Sequence, residues 1–185
     1  MTRLPNLVHR DDVPAELLEA YDHVAAARQG TVSGPYGILL HSPELAHRVA
    51  VLGEYTRWNS ALTPRQTETA ILAVAREMDA AVMWASHVKL GSDAGVPSGT
   101  IEVIASDGDL AGLAAEEAVV VRYVRELLGP THRVSDASFE AARSLLGDQG
   151  VVDLTGLLGY YAIVGYTLNA FEVAPPEGAP ALPPR

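Results

Sequence analysis

The stretch 78–91, MDAAVMWASHVKLG, places His87 three residues after Trp84 in a run that otherwise has the composition of a buried helix. Met83, His87, Leu90 and Ala94 recur at helical spacing, so the imidazole falls on the apolar stripe with Trp84 one turn earlier. Two readings follow from the residues alone. His87 is either a core histidine satisfied by one hydrogen bond, with Trp84 as filler, or a general acid/base in a hydrophobic pocket walled by Trp84. Glu68 is its potential partner. It stands one turn before Ile71 and Leu72, at the head of the nearly continuous apolar run TAILAVA. A carboxylate entering such a surface must be paired or protonated, unless it is simply a solvated first-turn residue favoured by the helix dipole. Because Glu68 and His87 lie on consecutive helices, antiparallel packing would bring them together as a proton-transfer unit.

Other residues are weaker candidates. His41 precedes the start of a helix and is either a polar loop residue or a pocket donor. Its other wall would be the GPYG loop of Gly34, Pro35, Tyr36 and Gly37. Glycines there would let backbone N–H groups approach a ligand. Asn169 lies in an apolar run and needs a partner, as a helix cap or as a ligand contact. The six histidines, at 9, 23, 41, 47, 87 and 132, form no HxxxH or HExxH pattern, so no metal site is expected. Neither a phosphate-binding glycine loop nor GxSxG is present. The chain has no cysteine, which removes disulfides, thiolate metal sites, cysteine nucleophiles and dithiol redox chemistry together.

These residues must be positioned by helices. With 185 residues, 48% of them apolar, the chain can bury the core of one domain. A net charge of −10 without a basic patch argues against nucleic acid and anionic membrane as partners. The N-terminal stretch lacks an apolar signal-peptide region. The run 151–170 is interrupted by Asp153, several glycines and Asn169, so it reads as a core helix rather than a membrane span, and a cytoplasmic location is expected.

Helix punctuation recurs throughout. Asp12 and Pro14 open a segment with Leu17, Leu18, Tyr21 and Val24 at helical spacing, ended by Gly30. Ser42 and Pro43 open a helix running to Asn59, with Leu45, Val49, Leu52 and Tyr55 or Thr56 expected to face inward. Thr63-Pro64-Arg65-Gln66 is a capping box that starts a helix reaching Glu77. Further helices are expected over 80–94, 98–105, 114–128, 135–146 (closed by Gly147) and 149–171. The tail APPEGAPALPPR, with five prolines, is either disordered or an extended strap across a neighbour. No strand signal or repeat stands out. The expectation is an all-α, single-domain bundle of about eight helices over 1–174, with a proline-rich tail over 175–185.

The segment 62–104, LTPRQTETAILAVAREMDAAVMWASHVKLGSDAGVPSGTIEVI, resembles the core of the carboxymuconolactone decarboxylase family, in the AhpD-like superfamily. The pattern is a Leu-Thr/Ser-x-Arg-x-x-Glu helix start, an apolar helix, Trp-x-x-His, then Ala-Gly and a short helix. GPYGILLHSPELAHRV and YYAIVGYTLNAFEV resemble flanking segments of longer members, so the likeness runs from about Gly34 to Pro176, with the core motifs over 43–128. The resemblance implies an AhpD-like helical bundle, assembled as trimers or hexamers. The broadly apolar TAILAVA and 151–170 helices would also need more cover than one small bundle provides.

In the thiol-dependent branch a CxxC pair reduces a peroxiredoxin partner; here those positions correspond to Trp84 and His87, which excludes that chemistry. The other branch decarboxylates a carboxylated lactone without metal or organic cofactor. By resemblance, His87 is the expected acid/base and Glu68 its partner or proton relay. Trp84 is the expected apolar wall. His41, Tyr36, Asn169 and Arg65 are the expected substrate-binding residues. The small-molecule substrate would be a carboxylated lactone or related ring acid. A hydrolase or isomerase using the same Glu–His pair, or a non-enzymatic helical oligomer, are the alternatives.

Overall fold

The structure, a computed structural model, describes residues 2–185. Its elements among those residues are helical: α1 (Leu18–Ala27), α2 (Tyr36–Leu39), α3 (Pro43–Glu54), α4 (Pro64–Glu77), α5 (Ala81–Asp93), α6 (Ser98–Ala105), α7 (Ala115–Leu128) and α8 (Asp136–Ala170). The fold is an all-α bundle in one compact chain.

Local chemistry accounts for most boundaries. Thr63 Oγ1 accepts from the Gln66 backbone N–H at 3.2 Å, and Gln66 Oε1 accepts from the Thr63 N–H at 2.9 Å. Two of the four orphan donors of α4 are thereby satisfied, and Pro64 needs no partner at the first helical position. Ser135 caps α8 in the same way, its Oγ accepting from the Ser138 N–H. Gly147, at φ 70° and ψ 174°, breaks α8 into two limbs. That backbone conformation is open to glycine and strained for other residues, so the division expected there from the sequence is real.

Helix α4 is the centre of the bundle, packed by α5, α6, α7 and α8. Every residue from Gln66 to Arg76 is buried. The apolar TAILAVA run is therefore covered within one chain, which removes it as an argument for subunit contacts. The second limb of α8 buries Leu154, Leu157, Leu158, Tyr160, Tyr161, Val164 and Leu168. α8 is long and apolar enough to cross a membrane by length and composition alone, yet 61% of its most apolar window is buried in the bundle.

Helix α3 departs from expectation in two ways. Its buried residues are Ala46, Val49, Ala50 and Gly53, whereas Leu45, Leu52 and Tyr55 are exposed. The inward side is rotated by about one position, although Val49 and Thr56 are buried as expected; Gly53 there leaves room for the Tyr160 ring of α8. The α-helix also ends at Glu54 and continues as a π-helical turn, Tyr55–Asn59. Asp153, the acidic break in the apolar run of α8, holds that turn. Its carboxylate accepts from the Tyr55 hydroxyl at 3.0 Å and from the Ala61 N–H at 2.8 Å. The widened turn aims Arg57 and Trp58 at the same side of the bundle.

The proline-rich tail is an extended strap across its own chain. Arg76, almost fully buried, donates to the Pro183 carbonyl at 2.6 Å, and Arg185 donates to the Arg76 carbonyl and to Glu77.

Gly53 sits where α3 meets the Tyr160 ring. A Cβ built there would lie 2.6 Å from the Tyr160 hydroxyl oxygen, too close for any contact. Gly53→Ala is therefore expected to displace Tyr160 and destabilise the protein by about 1–3 kcal/mol despite the better helix propensity of alanine, measured by urea denaturation; an unchanged midpoint would show that Tyr160 moves aside freely.

Candidate functional site: a buried Glu–His pair beneath a cavity

Helices α4 and α5 are antiparallel neighbours joined by the tight connection at Met78–Ala80, where Asp79 takes a left-handed φ of 48°. This places Glu68 opposite His87. Glu68 Oε2 and His87 Nδ1 are 2.6 Å apart, with both side chains more than nine-tenths buried. A short contact to a carboxylate requires that Nδ1 carry the proton and donate. Nε2 is then the free lone pair of a neutral imidazole, and it accepts from the Tyr161 hydroxyl at 3.4 Å. The Tyr161 ring also meets the imidazole edge-on, with centroids 5.4 Å apart. The second carboxylate oxygen, Glu68 Oε1, lies 3.6 Å from the Arg57 guanidinium.

Burial holds the His87 imidazole below its ordinary basicity; the Glu68 hydrogen bond and charge oppose this, and the nearby Arg57 and Arg28 charges reinforce it. The neutral form predominates at neutral pH. Burial likewise pushes the Tyr36 and Tyr161 phenols far above the ordinary range, so both remain hydroxyl donors.

Above the pair lies a cavity of about 360 Å³. Its walls come from the end of α1 (Arg28), the 33–36 loop, the π-helical turn (Arg57), α5 and α8. Val173, Ala174 and Pro176, leading into the tail, close one side, and Asn6 another. Three phenols line it. Tyr36 and Tyr160 share a hydrogen bond of 2.8 Å, Tyr36 reaches the Val49 carbonyl at 3.4 Å, and Tyr160 packs edge-on against Tyr161. Among the described residues, no group of three or more His, Asp or Glu is arranged to hold a metal ion.

Of the residues singled out from sequence, His87 and Tyr36 line the cavity and Glu68 lies directly behind His87. The others are elsewhere. Trp84 is buried in the core and does not line the cavity. The lining residues of α5 are Val82, Met83, Ser86, His87 and Leu90. At 100° per residue Trp84 falls roughly 60° beyond His87, past the edge of that face. His41 is exposed, with Nε2 2.9 Å from the Pro5 carbonyl, and so tethers the N-terminal segment. Asn169 donates to the Met78 carbonyl at 2.9 Å and caps the end of α4. Arg65 pairs with the buried carboxylate of Glu117 on α7. Gly37 does not face the cavity either; its carbonyl accepts from the Leu7 N–H, and the N-terminal segment covers it.

Arg28, Arg57, Tyr160 and Tyr161 also line the cavity, and none was singled out from the sequence. Tyr160-Tyr161 did carry a signal: two phenols in an apolar helix each need a polar partner. Arg28 carried none, since it lies before a turn 59 residues upstream of His87. Arg57 reaches the site only through the π-helical turn, which the sequence does not announce.

The molecule is thus an all-helical bundle with a carboxylate–imidazole pair buried between two consecutive helices and no thiol. Residues 43–126 of the 185 match the carboxymuconolactone decarboxylase family, and the chain has no cysteine. No curated protein matches the chain.

Because the folded protein binds a proton at His87 less readily than the unfolded chain does, stability contributed by the neutral imidazole is fully present above 6.5 and is lost as pH falls from there toward the depressed folded value. Denaturation curves between pH 7.5 and pH 5 are expected to show wild type losing stability relative to His87→Gln, which keeps a neutral donor toward Glu68 but does not titrate. Parallel pH dependences for the two proteins would refute a depressed His87.

Proposed function

We propose that the protein is a cofactor-independent acid–base enzyme of the carboxymuconolactone decarboxylase type, acting on a small carboxylated lactone or related ring acid. The observation that carries this reading is the Glu68–His87 hydrogen bond at the floor of a cavity, with Nε2 directed away from the carboxylate. The match of residues 43–126 to that family supports the reaction class.

In the proposed reaction the bond from ring carbon to carboxylate breaks heterolytically. Carbon dioxide leaves, and the electron pair passes into the conjugated lactone as an enolate. One proton, drawn ultimately from solvent, is then delivered to carbon. His87 is the carrier. Its imidazolium is destabilised by burial and is therefore a strong acid once formed, while Glu68 stabilises the charge long enough for transfer and fixes the Nδ1–H tautomer. Tyr161, whose hydroxyl lies 3.4 Å from Nε2, would donate to the developing oxyanion. Hydrolysis or isomerisation by the same pair would use the neutral imidazole as base instead.

His87→Ala is expected to lower kcat on a carboxylated lactone by about 10²–10⁴-fold, and Glu68→Gln by less, because it keeps the imidazole in place but removes the charge. Both are read as carbon dioxide release. Full turnover by His87→Ala would remove histidine from the mechanism.

We also propose that the chain forms a homo-oligomer in the cytoplasm. The support is an apolar surface on α8, where Val152 is 70% and Tyr166 68% exposed, alongside Ile163 and the nearby Leu52 and Tyr55 of the α3 side. Light scattering should return a mass of several chains, and Val152→Glu together with Tyr166→Glu should lower it; a monomeric wild type would rule the assembly out.

A further inference from the structure

Asp153 is the acidic residue in the apolar run of α8. It is buried, and it does not line the cavity. Its two carboxylate oxygens reach instead to the two ends of the π-helical turn, at Tyr55, the first residue, and at Ala61, just past the last. Other side-chain hydrogen bonds of the turn are local. Thr56 donates to the Leu52 carbonyl at 3.0 Å, and Ser60 donates to the Thr56 carbonyl at 3.2 Å. The Asp153 bonds are the ones that join the turn to another element. Arg57 lies between those two attachment points. Its guanidinium is held by nothing short and directional: Nε is buried without an acceptor, and Nη2 stands 3.6 Å from Glu68 Oε1, longer than a hydrogen bond. The Trp58 ring, 5.1 Å away, attracts the cation but accepts none of its in-plane donors. A side chain held so loosely at its tip takes its position from the backbone that carries it, and that backbone is fixed by Asp153.

We propose that Asp153 is a positioning residue for the Glu68–His87 pair: by holding Tyr55 and Ala61 it keeps the Arg57 guanidinium against Glu68 Oε1. The line of contacts runs from α8 through the turn to α4 and α5. A cation beside Oε1 draws charge from the carboxylate, and so sets how strongly Oε2 accepts from His87 Nδ1–H. Freed from the tether, the guanidinium regains water for its unmet donors by swinging outward, and the carboxylate charge falls on the imidazole bond alone. Asp153 is hydrogen-bonded to neither member of the pair, so it acts only through Arg57. The bearing of this tether on catalysis rests on the reading of the pair as the proton carrier; the tether itself does not.

Proton NMR of the whole chain at pH 7.5 tests this without any substrate. A buried proton held between an imidazole nitrogen and a carboxylate at 2.6 Å resonates far downfield of the amide protons, and its loss in His87→Gln identifies it. Arg57→Gln is expected to move this resonance further downfield. Tyr55→Phe removes one attachment and no charge, and is expected to move it in the same direction by a smaller amount. Asp153→Asn, which offers a donor group where the turn needs a second acceptor, should move it further than Tyr55→Phe does. The Tyr55→Phe shift is expected to vanish in the Arg57→Gln background. Arg57→Met takes the place of Arg57→Gln if circular dichroism shows the latter to be unfolded. A merely structural Asp153 would give Tyr55→Phe a lower melting temperature with the resonance unmoved. That result, an upfield shift, a shift that persists without Arg57, or the absence of any resonance lost in His87→Gln would each overturn the proposal. A wild type that shows the expected shifts but releases no carbon dioxide from a carboxylated lactone would leave the tether standing and remove the decarboxylase reading.

Discussion

The structure is organised around one buried charge. Glu68 enters the central helix of the bundle, buried throughout from Gln66 to Arg76, and an isolated carboxylate there would cost several kcal/mol in lost hydration. Everything that offsets the cost comes from other elements: the imidazole of His87 from α5, the guanidinium of Arg57 from the π-helical turn, and the closing helices that keep water out. Removing any one partner strands the others. The packing of α4 against α5 and the shape of the turn after α3 are therefore parts of the same electrostatic arrangement.

That arrangement also explains why this surrounding suits proton transfer. Burial weakens the imidazolium, and the carboxylate opposes the weakening without abolishing it. The His87 imidazole is held between those opposing influences. The phenols of Tyr36 and Tyr161 stay protonated across the working range, so they contribute direction and hydrogen bonding rather than charge. Arg28 and Arg57 place positive charge at the cavity wall of a chain whose net charge is −10.

Several structural details hold the site at a distance. Asp153 ties the π-helical turn to α8 and thereby aims Arg57. Asn169 joins the end of α8 to the end of α4, and His41 joins the N-terminal segment to the start of α3. Polar residues that looked like ligand contacts in the sequence turn out to be fasteners between elements. The physical reason is general: a polar group in an apolar run must find a partner, and backbone ends and turns supply acceptors more often than a cavity does.

The sequence by itself determined the helical class, the capping box that starts α4, the break at Gly147 and the absence of thiol chemistry, because each follows from local residue chemistry. It also put Glu68 and His87 on adjacent helices, where a short connection leaves antiparallel packing as the ready solution. It could not determine which side of α3 faces inward, since that depended on the Tyr160 ring of α8 packing where Gly53 leaves room. Nor could it show that Trp84 lies past the edge of the cavity face, or that Arg28, 59 residues from His87, belongs to the site. Those outcomes were decided by tertiary structure. A cavity is made of whatever side chains converge from separate elements, and convergence over such separations leaves no periodic trace along the chain.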